Sequence, residues 1–405
     1  MRIADLTAYR VRLPLKREIK HASATRRESE NLMVRCRLDD GTEGWGEGVP
    51  RAYVTGETAE GEMAQLAATP LAEQLSGDCA SWEDVIGLCE RFSPAEVGPP
   101  THDAAAVQGY VARGCYGNAL RCAVELSILD AFGRLLGEPV SNVTSHFGPA
   151  QSVRASNARV RYSGAIMAEG PLAERVSALK MRTYGFSQCK VKVGMPSADD
   201  GQRLRTLRRW IGPRMDLRVD ANEAWHSAEV TARVEPLLLS RITCIEQPVP
   251  HGEVEALAEL RRHVPVPVML DESLASLADA RAAIRQNTCD LFNIRLSKCG
   301  GFLASLRLAA LAREAGLGFQ LGCHPGESGI LSAAGRHWAA SVDGIRYLEG
   351  SYDRHILREL PTHEDITFSY GGWAPALTGP GLGVRIDSAV LERIAVEKKV
   401  VGLRS

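Results

Sequence analysis

The sequence predicts an α/β protein: a modified (β/α)8 barrel of the TIM type, with an α+β capping domain formed by the N-terminal third and the C-terminal segment. Three observations predict it. After residue 139, about eight short β-like runs alternate with amphipathic helical stretches. Many of those runs close on a polar residue, as expected where barrel strands carry chemistry at their C-terminal ends. Before residue 139 the pattern is different, with alternating strands followed by one long apolar helix.

In chain order, Ile3 to Leu13 alternates apolar and polar residues as a strand does, and Asn31 to Leu38 does so again. Asp39, Asp40 and Gly41 supply a turn, and Gly44 to Val49 returns as a strand. A helix is expected from about Ala59 to Leu75. The stronger helix is Ala119 to Leu136, with Leu120, Val124, Ile128 and Leu135 on one broad face and Gly137 and Pro139 ending it. The barrel runs are Val160 to Ile166, Gln188 to Val193, Leu217 to Ala221, Ile242 to Glu246, Val268 to Asp271, Leu291 to Leu296, Gly318 to Leu321 and Tyr347 to Glu349. After about Leu360 the pattern stops, and Phe368 to Asp387, rich in Gly and Pro, is expected to pack back on the first domain. The reading divides the chain into a capping domain 1–138, a barrel 139–360 and a C-terminal segment 361–405.

At 405 residues the chain is too long for one ordinary core and long enough for two domains. A formal net charge of −1 argues against nucleic acid or an acidic membrane as partner. The opening MRIADLTAYRVRLPL has no long apolar core, and no apolar run approaches bilayer length, so a cytoplasmic protein is expected. Ten cysteines are scattered from Cys36 to Cys323 without a C-x-x-C pair, which fits small buried apolar groups in a reducing compartment.

The chemistry lies in five charged strand ends: Lys192, Asp220, Glu246, Asp271 and Arg295. They are separated by 28, 26, 25 and 24 residues, roughly one βα unit each. Such spacing places them on successive strands around one mouth. Three carboxylates there would repel one another by on the order of 4 kcal/mol per pair at ~4 Å. A hard divalent cation removes that cost, and all-oxygen ligation suits magnesium. In CKVKV, Lys190 and Lys192 share the inward face, while Cys189, Val191 and Val193 make the strand a buried one. Neighbouring positive charge lowers a lysine's pKa, which makes one of the pair a candidate general base.

The segments KVK, VDANEAW, IEQP, LDES and NIRLSKCGG together resemble the enolase superfamily, and within it the muconate-lactonizing (muconate cycloisomerase-like) subgroup. GWGEGVP (Gly44 to Pro50) and PGLGVRID (Pro380 to Asp387) extend the resemblance over nearly the whole chain. The resemblance implies that Asp220, Glu246 and Asp271 bind Mg2+, with Mn2+ as a substitute. It implies that Lys192 is the base on one face of a carboxylate substrate, assisted by Lys190, and that an enediolate forms. It also implies a homo-oligomer.

The departure is Arg295, where the subgroup pattern N-I-K would supply a second lysine. Arginine stays protonated and is a poor base. The sequence therefore favours one-base cycloisomerase or syn-elimination chemistry, like that of muconate cycloisomerases or o-succinylbenzoate synthases. The alternative is an N-acylamino acid racemase or dipeptide epimerase in which Lys298 reaches in as the second base. A reading from another class is a non-catalytic protein that binds magnesium and a carboxylate. His324 is expected to contact substrate, and Glu327 matches an acid at the mouth. Glu349 stands on strand eight where dipeptide epimerases carry D-x-D. Asn222 of VDANEAW is a further substrate-side candidate. Specificity is expected from two cap loops, 20–31 and 49–58, through His21, Arg26, Arg51 and Tyr53, with Arg51 suited to a second carboxylate.

Overall fold

The computed structural model describes residues 1–21, 24–97, 104–167, 170–195 and 199–403, and only the backbone of residues 20, 21, 24, 25 and 104–107. β1 (Ile3–His21), β2 (Ala24–Leu38) and β3 (Glu43–Gly48) form an antiparallel meander. The first two strands are longer than their apolar alternation. After a register shift between Pro14 and Ile19, the pairing resumes at Ile19–Arg26. The expected loop 20–31 is therefore largely the arm of a hairpin. Its polar sequence carries no strand signal, and pairing across the arm is what extends it. The helix expected over 59–75 is broken into Ala59–Ala68 and Leu71–Gln74. Pro70 is the cause: it forces Thr69 out of the helical region, to φ −74° and ψ 129°. The loop 49–58 contains a single helical turn, Ala52–Thr55.

The chain then contributes β4 (Arg159–Arg161), β5 (Gly164–Ile166), β6 (Gln188–Lys192), β7 (Asp216–Asp220) and β8 (Ile242–Glu246). It continues with β9 (Val268–Leu270), β10 (Leu291–Ile294), β11 (Gly318–Leu321) and β12 (Ile345–Leu348). β5 to β12 form one eight-stranded sheet in chain order with parallel pairing. Ser163 N donates to Leu348 O at 2.7 Å, joining the two ends of the sheet. The run expected over Val160 to Ile166 is thus two strands. β5 opens the barrel, whereas β4 pairs with β13 (Trp373–Pro375) in a separate ribbon. β14 (Ala395–Gly402) returns to pair antiparallel with β1, so the chain's last strand completes the capping sheet in the order β14-β1-β2-β3. None of the described helices is long and apolar enough to cross a membrane.

The GWGEG segment sets how cap and barrel meet. Its glycines let β3 press against the helix Asn118–Leu136; a Cβ at Gly46 would overlap the carbonyl oxygen of Ala123. Asp130 on that helix accepts from Trp45 N at 2.8 Å and Leu382 N at 2.7 Å, tying β3 to the C-terminal segment. Glu47 reaches the other way. It accepts from Ser328 N (3.0 Å), Ser328 Oγ (2.7 Å) and Leu331 N (3.2 Å), capping the barrel helix Gly329–Ser341 from the antiparallel sheet. Glu125 caps the helix Phe302–Glu314 in the same manner, through Phe302 N (2.5 Å) and Leu303 N (3.1 Å). These carboxyls hold the cap over the C-terminal ends of the barrel strands.

Candidate active site

Alternation along β6 buries Cys189, Val191 and Val193 toward the helices and turns Lys190 and Lys192 inward. Strand register sets the height of the neighbouring groups. Lys192 pairs with Asp220 and Asp220 with Glu246, so the three stand level at the rim. Asp271 follows β9 by one residue. Asp220, Glu246 and Asp271 are all buried, at 2%, 0% and 0% exposure. The backbone just past the strand ends is strained: Asn222, Gln247 and Ser351 have φ of +43°, +36° and +52°. Non-glycine residues adopt such values uncommonly.

Basic side chains thread between these acids. Lys190 Nζ lies 3.3 Å from Asp220 Oδ2, 3.3 Å from Glu246 Oε1 and 2.9 Å from Glu349 Oε1. The guanidinium of Arg295 contacts Asp271 and lies 3.9 Å from Glu246 Oε1. Lys298 Nζ holds Asp271 Oδ1 at 2.8 Å. Asn293 Nδ2 donates to Glu246 Oε1 at 2.8 Å, and Gln247 Oε1 accepts from Asp271 N at 2.9 Å. Asn222 N donates to Asp220 Oδ1 at 3.0 Å, and its side-chain amide donates to Glu272 Oε1 at 3.2 Å.

The two lysines of β6 differ electrically. Burial would lower Lys190, but Glu246, Glu349 and Asp220 outweigh it and hold the ammonium well above its ordinary range. Burial also lowers Lys192; Lys190 and Arg295 add to that effect, Asp220 opposes it, and the net shift is downward. Lys192 is thus the easier amine to deprotonate and Lys190 the permanent cation. Asp220 is lowered despite burial, because Lys190, Lys192 and Arg295 favour its charged form, whereas burial and Asp220 raise Glu246.

Several expected substrate contacts are occupied otherwise. Lys298 is 1% exposed and donates to Asp271 O (2.5 Å), Asp271 Oδ1 (2.8 Å) and Asn293 O (2.9 Å). An ammonium has three donors, and those of Lys298 go to Asp271 and Asn293, while burial lowers its pKa to about 8. Glu349 does not face substrate as an open carboxylate either. It is clamped between Lys190 and Arg218, whose Nη2 lies 2.5 Å from Oε1. Arg51 is 5% exposed and gives its Nη atoms to Pro50 O (2.7 Å), Ser29 Oγ (2.8 Å) and Pro325 O (3.2 Å). It pins loops together instead of presenting an open fork.

Arg26 lies over Tyr53 with Cζ 5.8 Å from the ring centre. His324 is 3% exposed, with neither ring nitrogen hydrogen-bonded. Burial, then Arg295 and Arg51, lower its pKa well below the ordinary value, so the ring is neutral at pH 7. Glu327 Oε1 accepts from His324 N at 2.6 Å, and burial pushes its carboxyl up to about 8. The side chain of His21 lies outside the described residues.

Sequence reasoning missed Arg218, Asn293 and Gln247. Arg218 had a signal: it precedes Asp220 by two residues and pairs in register with Lys190, so it shares their inward face. Asn293 and Gln247 stand in NIR and IEQP but have no charge to mark them.

By donor chemistry, three carboxylates at one rim suit a hard divalent cation. Here their compensating charge comes from Lys190, Arg295 and Lys298, and among the described residues no three Asp, Glu, His or Cys side chains stand together at metal-holding spacing. Binding an ion would therefore require Arg295 or Lys190 to yield.

Residues 172–390 match the family described as Enolase C-terminal domain-like. N-succinyl-L-Arg/Lys racemase of Bacillus cereus is 27% identical over 99% of this chain and 100% of its own length. A crystal structure of N-succinyl Arg/Lys racemase from Bacillus cereus superimposes with a TM-score of 0.83, at 26% identity over 99% and 100% of the two chains. L-Lys-D/L-Arg epimerase of Methylococcus capsulatus is 31% identical over 87% and 91%. Chloromuconate cycloisomerase of Cupriavidus pinatubonensis is 26% identical over 95% and 96%. The chain belongs to the enolase superfamily, in the group that includes the muconate cycloisomerases, and is an enzyme of that superfamily. The racemase and epimerase relatives favour the alternative reading of the sequence over the cycloisomerase reading placed first.

Proposed function

We propose that this enzyme removes the proton α to a substrate carboxylate and returns a proton to the resulting enediolate, as a racemase or epimerase of an acylated amino acid or dipeptide. The observation that carries the proton abstraction is the electrical split within CKVKV, with Lys190 held cationic by three carboxylates and Lys192 lowered by burial. Asp220, Glu246 and Asp271 are proposed to hold magnesium. When bound, the ion supplies Lewis-acid stabilisation of negative charge on the substrate carboxylate. Lys192 takes the α-proton into its amine, and Lys298, lowered by burial to about 8, is the group proposed to return a proton from the opposite face. Lys190, held by Glu349, which Arg218 clamps from its other side, keeps a positive charge beside the carboxylate as electron density moves onto it. The racemase and epimerase relatives support a 1,1-proton transfer.

One feature favours the second reading, one-base cycloisomerisation or syn elimination: Arg295 stands where a second lysine would serve the opposite face, and Lys298 has no donor to spare. Incubation with magnesium and a panel of N-acylamino acids, dipeptides and unsaturated dicarboxylates in deuterium oxide, followed by NMR and chiral analysis, separates the two. Deuterium incorporation with inversion is the expected outcome. Incorporation with retention, or a cyclised or eliminated product, would transfer the assignment to the one-base reading. A bound carboxylate that never exchanges would sink both.

A further inference from the structure

The backbone of Lys192 is gripped from outside the sheet. On its N-terminal side the strand ladder holds it, since Lys190, Val191 and Lys192 pair with Arg218, Val219 and Asp220. Past Lys192 that register ends. Val193 N donates to Asp220 O at 2.8 Å, and Gly194, at φ +79°, turns the chain off the strand. Two side chains of the following helix, Asp200–Ile211, hold this exit. Arg203 Nη1 donates to Lys192 O at 2.7 Å and to Asp200 Oδ1 at 3.0 Å. Asp200 Oδ2 accepts from Gly194 N at 2.7 Å. Arg203 Nε donates to Glu174 Oε1 at 2.6 Å, on the helix Pro171–Thr183 that precedes β6. The side chains of Arg203, Glu174 and Asp200 are 20%, 9% and 13% exposed, so solvent ions screen these contacts little.

A tie between the two helices needs only Arg203 and Glu174. The structure adds a bond to the carbonyl of Lys192 itself and, through Asp200, one to the amide two residues on. A guanidinium holds its N–H groups in one rigid plane, so fixing Nε on Glu174 also fixes the direction of Nη1. Asp271 is held in the same way: its carbonyl accepts from Lys298 Nζ at 2.5 Å, and its amide donates to Gln247 Oε1 at 2.9 Å. In both places polar side chains from other elements pin the backbone of a rim residue.

We propose that Arg203 is a positioning residue for Lys192: anchored by Glu174 and Asp200, it fixes the peptide from which the lysine side chain projects toward the substrate. The inference rests on the function proposed above, in which Lys192 removes the α-proton, and adds the group that aims it. Lysine carries its amine on a flexible four-carbon stem, so the amine is placed no better than the backbone beneath it. Rotation of the Lys192 peptide would displace the amine, and a shift near ~1 Å at a reacting group can cost roughly 10²-fold in rate. Arg203 acts on the reaction only through that backbone.

The test compares wild type, Arg203→Met and Arg203→Lys, with magnesium present, by two readouts. The first is backbone amide exchange followed by mass spectrometry. Arg203→Met should speed exchange at Val193 and Gly194 by at least ~5-fold, while the amides of β7 and β10 keep wild-type rates. The second is α-proton exchange in deuterium oxide on a panel of N-acetylamino acids and dipeptides. Arg203→Met should lower kcat roughly 10- to 100-fold and leave KM within about 2-fold. Arg203→Lys, which keeps the charge but not the fork, should fall between. Should Arg203→Met fail to fold, Arg203→Lys carries the test by the same two readouts. Wild-type kcat in the variants, a loss carried by KM alone, or unchanged amide exchange at Val193 and Gly194 would overturn the positioning role and leave the proposed function standing. A wild-type protein that exchanges no α-proton rejects the function, and the role of Arg203 falls with it.

Discussion

Lys192→Ala is expected to lower α-proton exchange by about 10²- to 10⁴-fold, the usual contribution of a positioned general base. The amine sits at the end of β6, level in register with Asp220, and burial makes its neutral form accessible. Lys190 does not replace it, because three carboxylates keep that ammonium protonated. The variant should retain the wild-type circular dichroism spectrum, since Lys192 is only partly buried and its strand is held by Cys189, Val191 and Val193. Exchange measured by NMR at wild-type rate would remove Lys192 from the mechanism.

The second large effect is on stability. Lys298→Met should cost about 3–5 kcal/mol, the typical loss when one partner of a buried ion pair is removed. The side chain of Lys298 is 0% exposed, and its three hydrogen bonds end on Asp271 Oδ1, Asp271 O and Asn293 O. Methionine fills the space but leaves two carbonyls unserved and Asp271 dependent on Arg295. Differential scanning fluorimetry should show a melting temperature lower by on the order of 5–10 °C. A shift below about 1 °C would mean that the ammonium holds nothing together.

The contrast between these two lysines shows what the chain reveals before it is folded. Lys192, Asp220, Glu246, Asp271 and Arg295 were legible because barrel strands repeat at nearly constant length, and inward positions on a strand recur every second residue. Eight parallel strands follow from the same periodicity. The anchoring of Lys298 and Arg51 was not legible because their partners are mostly backbone carbonyls, those of Asp271, Asn293, Pro50 and Pro325, and a carbonyl leaves no mark in a sequence. The clamp on Glu349 was not legible because its partner Arg218 comes from a strand 131 residues earlier. The hairpin arm that carries Arg26 escaped notice because KHASATRRESEN has no apolar alternation; only its pairing with β1 makes it a strand. Asp39 to Gly41, by contrast, marked a turn that the structure contains.

The proposed catalysis depends on acids from neighbouring strands accepting a hard cation in exchange for the basic side chains now beside them. Calorimetric titration of magnesium into chelator-stripped protein tests this directly. Saturable binding at one site per chain is predicted, weakened at least ~10-fold in Glu246→Gln, because a neutral amide gives up one of three anionic ligands. Absence of saturable binding, or equal affinity in wild type and variant, would contradict it.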